Sequence, residues 1–203
     1  MHFFDRVPSG RDTPITTSEY HAISGEALKP AHREGYATLV VGMGCFWGVE
    51  RLFWSVPGVL VTTAGYAGGE TPNPSYEEVC TGQTEHAEVV LIIYDTAEVS
   101  LESLLTIFWE NHDPTQLNRQ GNDRGTQYRS AIYTTDQQQL ETARHSAELF
   151  QQQLDQAGRG TITTEIQPLD TFYYAEAYHQ QYLHKNPGGY CGLKGTGVSC
   201  QLV

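Results

Sequence analysis

The sequence has few basic residues and no long apolar run, and both absences exclude whole classes of partner. It contains 12 lysines and arginines against 24 aspartates and glutamates, which gives a formal net charge of −12. So acidic a chain is poorly suited to a nucleic-acid backbone or an anionic membrane surface. No stretch approaches the roughly 18 consecutive apolar residues of a membrane helix. The segment from Met1 to Pro8 lacks the basic and apolar parts of a secretory signal. We therefore expect a cytoplasmic protein that binds neither nucleic acid nor membranes.

Cysteine is also scarce, and its spacing limits what it does. The four cysteines are Cys45, Cys80, Cys191 and Cys200. They form no Cys-x-x-Cys pair, and neither they nor nearby histidines have the usual spacing of zinc ligands. Four cysteines in 203 residues are also too few for the disulfide framework of a small secreted domain. In a reducing compartment these thiols are catalytic, redox-active or simply buried. Nothing in the sequence suggests an extended apolar interface, so we expect a monomer.

Strand and helix patterns alternate along most of the chain. Short apolar, β-branched runs predict strands, and apolar residues at helical spacing predict helices. The predicted strands cover residues 36–43, 59–66, 87–94, 130–134 and 161–166, and the predicted helices cover 46–53, 76–80, 101–109, 137–157 and 175–183. This pattern predicts a single two-layer α/β (α+β) domain with helices packed against a mixed central sheet. Residues 1–35 are expected to form an irregular arm. Residues 36–203 are expected to form the catalytic domain, which ends in a glycine-rich coil.

Cys45 lies where the first predicted strand meets the first predicted helix. In the segment Gly44-Cys45-Phe46-Trp47-Gly48, the two glycines flank Cys45-Phe46-Trp47. They allow the backbone to turn tightly and a substrate to approach closely. Free N–H groups and the dipole of a helix N-terminus favour negative charge, so we expect a nucleophilic thiolate with a lowered pKa. Phe46 and Trp47 should place aromatic surface beside the sulfur. The alternative is a buried structural cysteine.

Other polar residues stand out by context. Glu88 lies at the start of a strand that should be buried, so it is either paired or held neutral as a proton donor. Tyr76, Tyr128 and Asp123 lie in or beside polar loops, where long connections are often functional. A Cys-His pair would indicate acyl-transfer chemistry, and His86 and His112 are its candidate bases. Each residue also has an ordinary structural alternative: a solvated glutamate, a core tyrosine or a hydrogen-bonded histidine.

Taken together, the motifs resemble those of A-type peptide methionine sulfoxide reductases. The resemblance covers roughly residues 36 to 200 and rests on ordered motifs: Gly44-Cys45-Phe46-Trp47-Gly48, Gly65-Tyr66-Ala67-Gly68-Gly69, Asn73-Pro74-Ser75-Tyr76, His86-Ala87-Glu88, Phe108-Trp109-Glu110-Asn111-His112-Asp113-Pro114, Gln120-Gly121-Asn122-Asp123, Gly125-Thr126-Gln127-Tyr128-Arg129-Ser130 and His179-Gln180-Gln181-Tyr182-Leu183. So many motifs in order leave little room for coincidence.

The resemblance implies a reaction and a role for each residue. Cys45 would attack the sulfoxide sulfur of the S epimer, in free methionine sulfoxide or in oxidised proteins, while Glu88 donates a proton to the oxygen. The other implied roles are hydrogen bonding of that oxygen by Tyr76 and Tyr128, enclosure of the methyl group by Phe46 and Trp47, and orientation of the site by Asp123. The resulting sulfenic acid on Cys45 would condense with Cys191, Cys200 would take over the disulfide, and thioredoxin would reduce it. No metal or organic cofactor is implied.

Two positions depart from the family pattern. Glu85 stands where the family usually has glycine; if it faces the site, its charge should raise the proton affinity of Glu88. Cys200 lies one residue further from Cys191 than in close relatives, so its part in recycling needs a test of its own. Two other functions remain open: a Cys-dependent acyl transferase or hydrolase, and a thiol redox sensor without enzymatic activity.

Overall fold

A six-stranded mixed sheet forms the centre of the fold. The structure is a computed structural model that describes residues 7–202; the first six residues of the predicted arm and Val203 lie outside the described residues. The strands are β1 Tyr36–Met43, β2 Val59–Ala67, β3 Ala87–Asp95, β4 Arg119–Gln120, β5 Asp123–Arg124, β6 Ser130–Thr134, β7 Glu165–Pro168 and β8 Phe172–Tyr174. The helices are α1 Phe46–Trp54, α2 Tyr76–Cys80, α3 Leu101–Glu110, α4 Gln137–Gln156 and α5 Tyr182–Lys185, with a 3₁₀ turn at Thr126–Tyr128.

The sheet has the order β7-β6-β1-β3-β2-β8, and β4 and β5 form a separate small hairpin. Strand β3 pairs antiparallel with both β1 and β2, whereas β6 and β7 are parallel. As its apolar sequence predicts, β3 is buried on both faces. The strand therefore carries any polar side chain at its start into the protein interior.

Helices pack on one face of the sheet and form the larger of two cores. This core joins alternate residues of β1, among them Val41 and Met43, to Phe46 and Val49 of α1. Local signals set the helix starts: Ser75 and Glu78 form a capping box at α2, and Ser100 caps α3. The smaller core covers the opposite face. The predicted two-layer α/β fold is confirmed.

Several element predictions are wrong near the C-terminus. The strand predicted at 161–166 lies at Glu165–Pro168, and the helix predicted at 175–183 is reduced to Tyr182–Lys185. Gln180 instead uses its side-chain amide to bond both backbone groups of Ala64, and Gln181 adopts a left-handed conformation with φ 46°. These contacts with β2 replace helical hydrogen bonds. Strand β8 and the β4-β5 hairpin were not predicted.

The described part of the predicted arm, residues 7–35, is irregular apart from a single bridge between Tyr20 and Ala27. Leu28 is nevertheless fully buried. The predicted boundary at residue 36 coincides with the start of β1, but its status as a domain boundary stays a prediction. Among residues 7–202, no helix combines the length and apolar character needed to cross a membrane.

Candidate active site

Cys45 stands at the junction of β1 and α1, as its sequence context predicts. Gly44 has φ 93°, and a Cβ added to it would lie 2.7 Å from the side chain of Gln120, so only glycine fits the turn. Cys45 is the N-cap residue of α1 and is half-buried. Two N–H groups at the start of the helix are occupied: that of Phe46 donates to Glu88 Oε2 at 3.1 Å, and that of Trp47 donates to the Cys45 sulfur. The start of α1 therefore holds the Cys45 thiol and the Glu88 carboxyl group near each other through adjacent backbone N–H groups.

The expected lowering of the Cys45 pKa is wrong. Burial raises the pKa of the thiol well above its usual range, and the nearby Glu88 raises it further. The hydrogen bond from the Trp47 N–H acts in the opposite direction but is outweighed. The dipole argument from sequence took no account of desolvation or of a carboxyl group at the same helix start. The resting group is consequently a neutral thiol.

Glu88 is almost fully buried at the start of β3. Burial, and secondarily the charge of Asp123, raises the pKa of Glu88 to about 8, while the Phe46 N–H opposes this rise. A neutral carboxylic acid at pH 7 is suited to proton donation. The acidic neighbour that contributes is Asp123, not Glu85. Glu85 is exposed, with φ 60°, and so does not have the expected role beside Glu88.

Tyr76 and Tyr128 approach the same carboxyl group from two different elements. Tyr76 begins α2, and Tyr128 ends the 3₁₀ turn. Burial, followed by the charge of Glu88, raises the pKa of each phenol well above its usual range. Cys45 also contributes to the shift of the Tyr128 pKa. The sequence-predicted groups Cys45, Glu88, Tyr76 and Tyr128 thus converge on one site, where both phenols are neutral hydrogen-bond donors.

Aromatic rings pack around Phe46 and Trp47, the two residues that follow Cys45. The Trp47 ring stacks on Tyr182 with centroids 3.9 Å apart, and its Nε1–H donates to His179 Nδ1 at 3.0 Å. Phe46 lies 4.9 Å from the His179 ring. Sequence reasoning does not assign His179 and Tyr182 to the site, because nothing local in their motif indicates that this segment returns to α1. Their contacts build an aromatic wall, which we define as Phe46, Trp47, His179 and Tyr182.

The tail brings Cys191 but not Cys200 to this site. A Cβ on Gly48 of α1 would lie 2.7 Å from Cys191 Sγ, and Cys191 contributes to the raised pKa of Cys45. The hydroxyl of Tyr190 donates to Asp123 Oδ2 at 3.1 Å, which ties the tail to the polar loop. Asp123 thus contacts the tail as well as influencing Glu88. The four cysteines are all free thiols.

Cys200 lies away from this site, against α3. It is 8% exposed, its backbone N–H donates to Glu110 Oε1 of α3 at 2.8 Å, and burial raises the pKa of its thiol to about 12. Cys80 is an exposed thiol at the end of α2. Within residues 7–202, no group of three or more histidine, cysteine or acidic side chains is arranged to hold a metal.

The histidines suggested as bases have structural roles. His112 is fully buried, with Nδ1 2.7 Å from the Phe108 carbonyl and Nε2 2.7 Å from Ser130 Oγ. His86 accepts the Gly69 N–H at Nδ1 and bonds the Thr71 carbonyl through Nε2. Because both nitrogens of each ring are occupied, neither histidine is placed to deprotonate Cys45. The acyl-transfer alternative lacks its predicted base.

Comparison with known proteins identifies the family. The family described as "Peptide methionine sulfoxide reductase" matches residues 37–201. The chain belongs to this family. Peptide methionine sulfoxide reductase MsrA of Rhodospirillum centenum is 62% identical over 198 residues, which are 98% of this chain and 90% of the relative. The methionine sulfoxide reductase A structure from Corynebacterium diphtheriae superposes with a TM-score of 0.86 at 48% identity, covering 96% of this chain and 94% of that chain. Reduced Mxr1 from Saccharomyces cerevisiae gives 0.71 at 34% identity, covering 80% and 92%.

Family membership confirms the predicted enzyme class. The protein is an oxidoreductase of the methionine sulfoxide reductase A type, with the expected fold and reaction type.

Proposed function

We propose that this methionine sulfoxide reductase acts on the S epimer, free or in oxidised proteins, with Cys45 as nucleophile and Glu88 as proton donor. The observation that carries the assignment is the shared helix start: adjacent N–H groups of α1 bond the Glu88 carboxyl group and the Cys45 sulfur. A sulfoxide whose sulfur faces Cys45 can direct its oxygen toward Glu88. The two reacting groups are thus positioned before substrate arrives.

In this proposal Glu88 serves as a proton shuttle. It gives its proton to the sulfoxide oxygen, which makes the sulfur electrophilic, and takes the proton that Cys45 loses as the thiol attacks. Tyr76 and Tyr128 donate hydrogen bonds to the same oxygen, where negative charge would otherwise develop. Overall, Cys45–SH and the sulfoxide give Cys45–SOH and a thioether. The sulfoxide gains two electrons, and Cys45 loses two.

The aromatic wall supports the choice of substrate. A methionine side chain ends in a methyl group next to the sulfur, and this group fits an apolar surface beside a nucleophile. Phe46 and Trp47 follow Cys45 directly and are assigned to that surface; Trp47 is half-buried, whereas Phe46 is 1% exposed and packs against His179. Asp123 orients the site through the polar loop and its bond to Tyr190. We attribute preference for one epimer to the fixed positions of the wall and the oxygen-binding groups.

Recycling is assigned to the tail. The Cys191 thiol attacks the sulfenic acid on Cys45, which forms a disulfide and releases water. The Cys200 thiolate then attacks Cys191 Sγ, forms the Cys191–Cys200 disulfide and frees Cys45. The dithiol of a thioredoxin reduces this disulfide and is itself oxidised. Because Cys200 is buried against α3 in the reduced protein, the second step requires the tail to leave that position.

A single-turnover experiment tests the proposal. Fully reduced protein is mixed with each methionine sulfoxide epimer in a blocked peptide, without reductant, and the thioether formed and thiols lost are counted. We expect thioether from the S epimer alone, with loss of thiols, and none with Cys45→Ser. No thioether from either epimer, together with disulfide formation on peroxide addition, would favour the redox-sensor alternative.

A further inference from the structure

The N-terminal arm reaches the interior through His21, which is 2% exposed. Its Nδ1 accepts the backbone N–H of Ser24 at 3.1 Å. Burial, followed by the charge of His184, lowers the pKa of His21 to about 4, so the ring is neutral at pH 7. The single ring proton is therefore on Nε2, which lies 3.0 Å from Thr62 Oγ1 and donates to it. Through His21, the arm is thus hydrogen-bonded to the side chain of Thr62 in β2.

The hydrogen bonds continue from Thr62 to a fully buried carboxyl group. The Thr62 hydroxyl donates to Glu50 Oε1 of α1 at 3.3 Å. Glu50 also accepts the backbone N–H of Gln181 at 2.7 Å and its side-chain Nε2 at 2.6 Å. The remaining atom of that amide, Gln181 Oε1, accepts the N–H of Ala22 in the arm at 2.9 Å. Two adjacent arm residues therefore hold both ends of one buried network.

This network lies directly behind the aromatic wall. Glu50 follows Trp47 by three residues on α1, so the two share a side of the helix. Gln181 lies between His179 and Tyr182, the residues that bond and stack on the Trp47 ring. Residues 175–181 form no regular element, and Gln181 has the unfavourable φ of 46°. Side-chain hydrogen bonds, rather than secondary structure, consequently set the position of this segment.

We propose that the arm is a positioning element of the substrate pocket: His21 and Ala22, acting through Glu50 and Gln181, fix His179 and Tyr182 and thereby the orientation of Trp47. The inference rests on the proposed function, because it assigns Trp47 to the substrate methyl group. Small displacements of a binding surface weaken productive binding, so loss of the network should act on substrate affinity rather than on the intrinsic reactivity of Cys45.

The first test compares three single variants. His21→Ala removes the bond to Thr62, His21→Gln retains a donor near the position of Nε2, and His32→Ala changes an exposed histidine of the same arm. For the S-epimer peptide, we expect His21→Ala to raise KM about fivefold, the effect of one lost hydrogen bond. The other two variants should stay near the parent value. Oxidation of Cys45 by hydrogen peroxide, which has no methyl group to place, should be unchanged in all three.

A double-mutant cycle separates positioning from general destabilisation. Trp47→Phe keeps an aromatic ring but loses the bond to His179, so His21→Ala should change KM by less than about twofold in that background. An equal KM increase in both backgrounds, an unchanged KM, or a matching loss of peroxide reactivity would overturn the proposal. If His21→Ala does not fold, Gln181→Met carries the same test. A parent protein that reduces no sulfoxide would instead reject the proposed function.

Discussion

The pocket and the tail of this protein are built in contrasting ways. The catalytic cup, defined here as Cys45, Phe46, Trp47, Tyr76, Glu88 and Tyr128, is assembled from the starts or ends of regular elements around a buried carboxyl group. The tail, residues 186–202, forms neither helix nor strand. It is held by individual bonds such as that from Cys200 N–H to Glu110 and that from Arg159 to the Thr196 carbonyl.

The contrast matches the two halves of the proposed reaction. Sulfoxide reduction benefits from groups fixed in place, because their ordering has no further entropic cost during reaction. Disulfide relay requires one sulfur to meet two different partners in turn, so the segment that carries it must move. Cys191 lies against α1, whereas Cys200 is buried against α3. Substitutions in the cup should therefore impair the first turnover, and those in the tail should impair later turnovers.

The largest effect is expected at the nucleophile. Cys45→Ser should lower single-turnover thioether formation at least about a thousandfold, since a hydroxyl cannot replace the thiol as oxygen acceptor. Cys80→Ser is the matched control, because Cys80 is an exposed thiol with no assigned step and a serine hydroxyl can keep its hydrogen bond with Tyr76. It should retain full activity. Rapid-quench measurement of thioether reports both variants, and equal losses in the two would contradict the assignment of Cys45.

Glu88→Gln should slow the first turnover by about 10²–10⁴-fold and remove a pH dependence. In the parent, the pKa of Glu88 is raised to about 8, so the proton-donating form is present below that pH and is lost as pH rises through it. The single-turnover rate should accordingly fall above about pH 8. Glutamine keeps the shape but has no titrating proton, so its slower rate should lack this alkaline fall. An identical pH profile in both proteins would rule out Glu88 as the donor.

Substitutions of the tail cysteines should slow the later turnovers and leave the first turnover unchanged. With thioredoxin and excess substrate, Cys191→Ser should reduce steady-state turnover about a hundredfold, and Cys200→Ser about tenfold, because their thiols act at successive exchange steps. Both should still form one thioether per protein in the first turnover. Thiol counting with thioether analysis distinguishes the two phases. A first turnover slowed by either change would show that the tail belongs to the catalytic cup.

Sequence reasoning succeeded where the determining interactions are local. The apolar strand that buries Glu88 and the glycine turn at Cys45 are each determined by a few neighbouring residues. The failed predictions depend on distant contacts. The irregular 175–181 segment is determined by Gln180 bonding to Ala64, more than a hundred residues earlier.

The predicted lowering of the Cys45 pKa is wrong for the same reason, because that pKa depends on distant contacts. The Cys45 pKa depends on burial and on Glu88, which sequence alone does not place beside the helix start. The position of Cys200 is likewise not predictable from sequence, because its spacing from Cys191 gives no sign that its backbone is bonded to α3. Residue roles inferred from motifs could be stated before the fold was known, whereas protonation states required the packed site.

The smallest effect is expected at Glu85, an exposed residue three positions before Glu88. Its φ of 60° is a conformation that glycine adopts at little cost, and its side chain is exposed. Glu85→Gly should therefore raise the free energy of unfolding by up to about 1 kcal/mol, since relief of left-handed strain is partly offset by the greater freedom of glycine in the unfolded chain. Denaturant unfolding measures this change. The pH–rate profile should not move, because Asp123 rather than Glu85 supports the raised pKa of Glu88. If the fall in rate moved to a different pH, the charge of Glu85 would act on Glu88, and the buried cup would be less separated from its exposed surroundings than the structure indicates.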